Sequence, residues 1–169
     1  CSIVPTIGLE QAHAKFETTL LRLAKTEQLS EEFLAVNPKG KVPALVVDGK
    51  AMSENAAILV WLNEAFPEAK LLPDTPGEFE RQRQLADLVY FSSTVHPSVT
   101  RYAMPFRFVK DQSIAMTEVR PAGLEVLSEV FGQINERLKE GPWWYGEQWS
   151  IIDAYLLWAW TRSTIVGFP

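Results

Sequence analysis

One stretch constrains this chain more than any other: residues 37–58, N-P-K-G-K-V-P-A-L-V-V-D-G-K-A-M-S-E-N-A-A-I. Pro38 and Gly40 punctuate a loop, and Pro43 follows Val42 at the edge of the apolar run 44–47. Asp48-Gly49 is a tight-turn dipeptide, so the runs on either side of it read as a hairpin. Ser53-Glu54-Asn55 then opens an amphipathic helix expected over 53–66, with Ala57, Ile58, Trp61, Leu62 and Ala65 facing a core and Pro67 ending it. A proline cannot donate to a ladder, so Pro43 belongs at a strand start or edge. With a cis Val42–Pro43 bond, Val42 would turn its own N–H and C=O outward, where an extended peptide could pair with them. The first helical turn at Ser53 to Asn55 offers unpaired N–H groups suited to a carboxylate. Together the two features form a clamp for a small acidic peptide.

The rest of the composition narrows the field. The chain has 169 residues, enough for one large or two small cores; it is 47% hydrophobic and 22% charged, as globular chains are. A net charge of −5 and a pI of about 5.1 argue against nucleic acid as the main partner. An anionic ligand must therefore be held by local positive potential and not by the overall field. The longest apolar run, 56–62, is too short to span a bilayer, and no secretory pattern opens the chain. One cysteine excludes an internal disulfide and accords with a reducing compartment, so the expected location is cytoplasmic. One cysteine and two histidines do not make a common zinc site, and no metal is expected.

Read in order, Cys1 to Pro5 lead into a helix whose apolar stripe is Ile3, Ile7 and Ala14, with Val4 and Ala12 beside it. Residues 16–23 read as a strand, and Ser30 caps a short acidic-start helix. The order helix, strand, helix, strand, strand, helix matches a thioredoxin-like fold short of its first strand. That strand should precede Cys1, and the expectation is a chain that is a piece of a longer protein. Residues 73–77 read as a linker between a domain at 1–72 and an all-helical domain at 78–169. The second domain has expected helices at 79–101 with Pro97 in it, at 118–138 with Pro121 in its first turn or at a kink, and at 151–166. The last is apolar on most sides and so expected to be buried. Ser150 and Asp153 form a capping box, and a structural role for Asp153 outweighs a catalytic one. Trp143, Trp144, Phe106 and Phe108 read as core or as the lining of an apolar pocket.

V-P-A-L, a D-G hairpin and S-E-x-A-x-I resemble the glutathione site of cytosolic glutathione transferases. C-S-I-V-P-T-I-G-L-E-Q-A resembles the start of the first helix of the bacterial beta type, and W-S-I-I-D-A-Y resembles the family's buried capping motif, whose role is in folding. The resemblance implies a thioredoxin-like domain followed by an all-helical glutathione-transferase domain. It also implies glutathione as co-substrate, a small-molecule electrophile and a homodimer. From its position alone, Cys1 is either a thiolate favoured by a helix N-terminus or an ordinary cysteine at a chain end. The resemblance makes it the residue that faces the glutathione sulfur, with Ser2 as the alternative hydroxyl donor and His96 as a third catalytic candidate. It likewise assigns Lys25 to a glutathione carboxylate, Val42 and Pro43 to the cysteinyl backbone, Glu54 to the α-ammonium and the Asn55 N–H to the α-carboxylate. Asn55 departs from the usual serine, and Pro97 stands where relatives often have lysine. The implied activity is conjugation of glutathione to electrophiles, with thiol–disulfide exchange through the cysteine; the alternative is a non-catalytic binding or interaction module.

Overall fold

The computed structural model describes residues 1–75 and 77–169, so Pro76 of the expected linker lies outside the described residues. The chain forms two compact units, Cys1–Leu71 and Leu72–Pro169.

In the first unit, α1 (Ile3–Gln11) begins with Pro5 in its first turn, where a missing N–H costs nothing. Helix α2 (Glu31–Val36) is capped as expected, with the Ser30 hydroxyl accepting from the Phe33 N–H at 3.2 Å. The hairpin pairs β1 (Ala44–Val47) with β2 (Lys50–Ser53) in the register Leu45↔Met52 and Val46↔Ala51. Asp48 (φ 48°) and Gly49 (φ 76°) both take the left-handed backbone that a two-residue turn of matching twist requires. Helix α3 (Asn55–Ala65) follows at once and packs against α1.

Three expectations need correction here. Residues 14–22 have no regular structure, and short tight turns follow at Leu23–Lys25 and Glu27–Leu29. A strand exists only by pairing. Among the described residues the only sheet is the β1–β2 hairpin, which leaves no partner for 16–23, and Leu20 is 86% exposed. The buried face of α1 is Val4, Pro5 and Gly8, while Ile3 is exposed. The buried face of α3 is Asn55, Ile58, Leu59 and Leu62; Ala57 and Ala65 are exposed and Trp61 is half-buried. In both helices the apolar residues outnumber the positions a single core can cover, so periodicity alone does not select the face.

The second unit is helical. Helix α4 (Glu78–Tyr90) continues through a wide π-type turn, Phe91–Val95, into α5 (His96–Ala103). One stripe, Gln84, Leu88, Phe91, Val95, Val99 and Tyr102, is buried along the whole length. Leu85 and Val89, apolar residues of the same helix, lie off that stripe and are exposed. The short α6 (Gln112–Ile114) likewise passes through a wide turn, Ala115–Val119, into α7 (Arg120–Arg137), so the helix expected from 118 starts earlier. Each wide turn ends two residues before a proline, Pro97 or Pro121. A proline has no N–H to give the carbonyl four residues back and its ring crowds that carbonyl, so the turn ahead of it widens. Helices α5 and α7 pack closely: a Cβ on Gly123 would sit 3.0 Å from the Tyr102 nitrogen.

Helix α8 (Ile151–Thr164) carries the expected capping box. The Asp153 carboxylate does more than the motif predicts. It accepts from the Ser150 N–H at 2.8 Å, the Ser150 hydroxyl at 3.0 Å and the Trp144 N–H at 2.7 Å, all buried. It thus ties the preceding loop to the helix start. Helix α8 buries Ile151 to Tyr155 and Ala159 but exposes Leu157 and Trp160, so it is less enclosed than its composition implies. Trp144 is core, whereas Phe106, Phe108 and Trp143 are largely exposed.

Tyr145 donates to the Asp87 carboxylate at 2.8 Å. Burial, and then the Asp87 charge, raise its phenol well above the ordinary tyrosine value. The folded state therefore keeps a proton that the unfolded chain releases near pH 10. Stability is fully present below that pH and falls above it, by up to about 1.4 kcal/mol per pH unit from this group. Denaturant midpoints measured from pH 9 to 11 should decline, and Tyr145→Phe should flatten the decline.

Candidate functional site

The hairpin, α1 and α3 bring three of the expected residues together in the first unit. Cys1 lies just ahead of α1 and is half-buried. Its Sγ donates to the Val42 carbonyl at 3.5 Å. The Val42–Pro43 bond is cis, and Val42 lies outside the ladder, which starts at Ala44. The Asn55 amide nitrogen donates to the Cys1 carbonyl at 3.4 Å. Cys1, Val42 and Asn55 are thus one hydrogen-bonded cluster drawn from three segments.

Glu54 stands just before α3 with φ 75° and ψ 118°, a backbone rare for an L-residue, and its side chain is exposed. The N–H groups of the first turn of α3 have no intrahelical partners, as at any helix start. The Glu54 Oε1 accepts from Lys39 Nζ at 2.7 Å, an exposed ion pair. Sequence reasoning missed Lys39, because fifteen residues and a hairpin separate it from Glu54 and no local pattern joins them. It also missed Asn37, whose buried amide donates to the Lys41 carbonyl at 2.6 Å and accepts from the Lys39 N–H at 3.3 Å, shaping the loop that delivers Val42. An N-P pair in a loop was the available signal.

The Ser2 hydroxyl does not cap α1; the Ser2 carbonyl accepts from the Thr6 hydroxyl at 3.0 Å. Lys25 ends the exposed turn Leu23–Lys25. His96 belongs to the second unit, where its Nδ1 lies 3.0 Å from the Tyr155 hydroxyl and its ring lies 4.4 Å from that of Trp158. Either tautomer satisfies the Tyr155 contact, with the hydroxyl accepting or donating accordingly. Among the described residues no group of three His, Cys, Asp or Glu side chains is placed to hold a metal, and no helix is long and apolar enough to cross a membrane.

The fold is shared with known proteins. The glutathione S-transferase N-terminal domain family matches residues 2–65. A sphingomonad glutathione S-transferase, solved in complex with glutathione, superposes on the whole chain with a TM-score of 0.83 and 31% identity, over 81% of its own length. This chain belongs to the glutathione S-transferase family. A bacterial beta-class glutathione S-transferase from Sphingomonas chungbukensis is 30% identical over the whole chain and 81% of its own, with a TM-score of 0.82. Glutathione S-transferase GstA of Escherichia coli O157:H7 is 29% identical over 92% of this chain and 74% of its own length. Matches to several other curated relatives span 42–46% of their length. Family membership identifies the first unit as a thioredoxin-like domain, represented by its hairpin and helices, and the second as the family's helical domain.

Proposed function

We propose that this glutathione S-transferase family member binds glutathione along Val42 and transfers it to small electrophiles, with Cys1 also exchanging disulfides with glutathione. The observation that supports the reading best is the cluster of Cys1, Val42 and Asn55, in which Val42 and Asn55 fall within the family's N-terminal domain match and Cys1 immediately precedes it. The glutathione held by the sphingomonad relative supports the choice of ligand. The Val42 carbonyl has two lone pairs, so it can accept a cysteinyl N–H from glutathione while Cys1 remains beside it. The γ-glutamyl carboxylate lies at the first-turn N–H groups of α3, and its ammonium at Glu54, whose Oε1 already holds Lys39. Lys25 supplies the positive charge for a carboxylate.

In conjugation, the glutathione thiolate attacks the electrophilic carbon. The carbon–sulfur bond forms as the leaving group departs with its electron pair, and the thiol proton goes to solvent. In exchange, the Cys1 sulfur attacks the glutathionyl sulfur of a mixed disulfide, and the released thiolate takes a proton. A second glutathione thiolate then attacks the Cys1 adduct, giving oxidised glutathione and regenerating Cys1. The proposed setting is cytoplasmic and homodimeric, with Ser2 and His96 as supporting groups.

Retention on glutathione-agarose, combined with turnover of a generic aryl halide, tests the proposal. Retention without turnover of either the halide or a mixed disulfide would make the chain a binding module, and failure of both retention and turnover would remove glutathione from its function. Glu54→Ala is expected to weaken glutathione binding by about 1–3 kcal/mol, because the ammonium loses its charged partner. Calorimetry reads this directly, and unchanged affinity would displace the γ-glutamyl end from Glu54.

A further inference from the structure

We infer that the Asn55 side chain is a positioning group that locks Cys1 in register with the γ-glutamyl end of the site. The inference rests on the glutathione reading above. Asn55 opens α3, yet its side chain is turned inward and only 6% exposed. Its Nδ2 donates to the Cys1 carbonyl at 3.4 Å, a carbonyl that also accepts the Val4 N–H at 3.1 Å. A carbonyl only accepts, so the amide nitrogen must face Cys1 and Oδ1 must turn away. Among the described residues that buried Oδ1 has no hydrogen-bond partner. An unpaired buried acceptor costs stability, and the shorter serine would avoid that cost. What the amide provides is geometry. Its main-chain N–H belongs to the first turn of α3, where the ligand carboxylate is placed, and its side-chain N–H holds the residue whose sulfur reaches Val42 at 3.5 Å. One residue therefore connects the two ends of the peptide clamp. Asn55 acts through the Cys1 main chain.

Asn55→Ser keeps the main-chain N–H but is too short to reach the Cys1 carbonyl. Asn55→Asp keeps the shape but puts an acceptor against it. In the full chain, the rate of exchange with a mixed disulfide of glutathione should fall by about tenfold or more in both variants, as expected when a reacting group loses its alignment. For Asn55→Ser, KM for glutathione should stay within about twofold of the parent value, because the N–H groups that bind the carboxylate remain. Its Tm should be no lower than that of the parent. A purely structural residue would give the opposite pattern, with lower Tm and unchanged kcat in the folded fraction, and that result would overturn the inference. Unchanged kcat in Asn55→Ser, with exchange abolished by Cys1→Ser and glutathione still bound, would also overturn it while leaving the site reading intact. Absence of glutathione binding in the parent, or exchange that survives Cys1→Ser, would instead defeat the site reading and the inference with it.

Discussion

Asp153→Ala is expected to lower stability by about 3–4 kcal/mol while leaving the turnover of the remaining folded protein unchanged. The substitution removes a buried carboxylate and leaves the Ser150 and Trp144 N–H groups without their acceptor. Each orphaned buried donor costs about 1–3 kcal/mol, and bonds to a charged acceptor lie at the upper end of the range for hydrogen bonds. Asp153→Asn should be milder, since its carbonyl can still serve one of the two donors. Ser150→Ala should cost less again, within the roughly 0.5–2 kcal/mol of a lost cap, because the Ser150 N–H keeps its bond. Urea denaturation of the three variants orders them. Loss of activity with stability intact would make Asp153 part of the chemistry and the structural assignment wrong.

Cys1→Ala is expected to bring thiol–disulfide exchange down to the background rate in solution, while glutathione retention persists. The thiol is the only one in the sequence, so no other side chain can carry the mixed disulfide. Conjugation should survive in part, because the glutathione thiolate itself is the nucleophile in that reaction and needs hydrogen-bond donors, not a protein sulfur. Mass spectrometry after incubation with oxidised glutathione should show one glutathionyl adduct on the parent chain and none on the variant. A parent chain that forms no adduct would remove the exchange activity from the proposal.

What could be read in the sequence divides along physical lines. The hairpin, the Ser30 cap and the Ser150–Asp153 box were legible because each is settled by a few neighbouring residues with strong backbone preferences. The strand expected at 16–23 was not, because pairing is a long-range property and local propensity carries no information about whether a partner edge is present. The buried faces of α1 and α3 were legible only in part, with Val4, Ile58 and Leu62 buried but Ile3, Ala57 and Ala65 exposed: both helices are apolar on more than one side, and only packing decides between them. At the site, the cis Val42–Pro43 bond was legible from the edge proline, whereas α3 begins at Asn55 and not at Ser53, because Ser53 is held in the hairpin ladder as the last residue of β2. The inward turn of Asn55 and the Lys39–Glu54 pair were out of reach, since both depend on how α1, the loop and α3 meet.

The wide turns ahead of Pro97 and Pro121 have a consequence for counting residues. Each holds one residue more than an ordinary helical turn, and one residue corresponds to a rotation of about 100° around the axis. A relative whose helix lacks the widening at 91–95 presents, on the face that His96 occupies here, the residue one place earlier in its own count. Matching His96 to its structural counterpart in such a relative would therefore need a one-residue offset inside an unbroken helix.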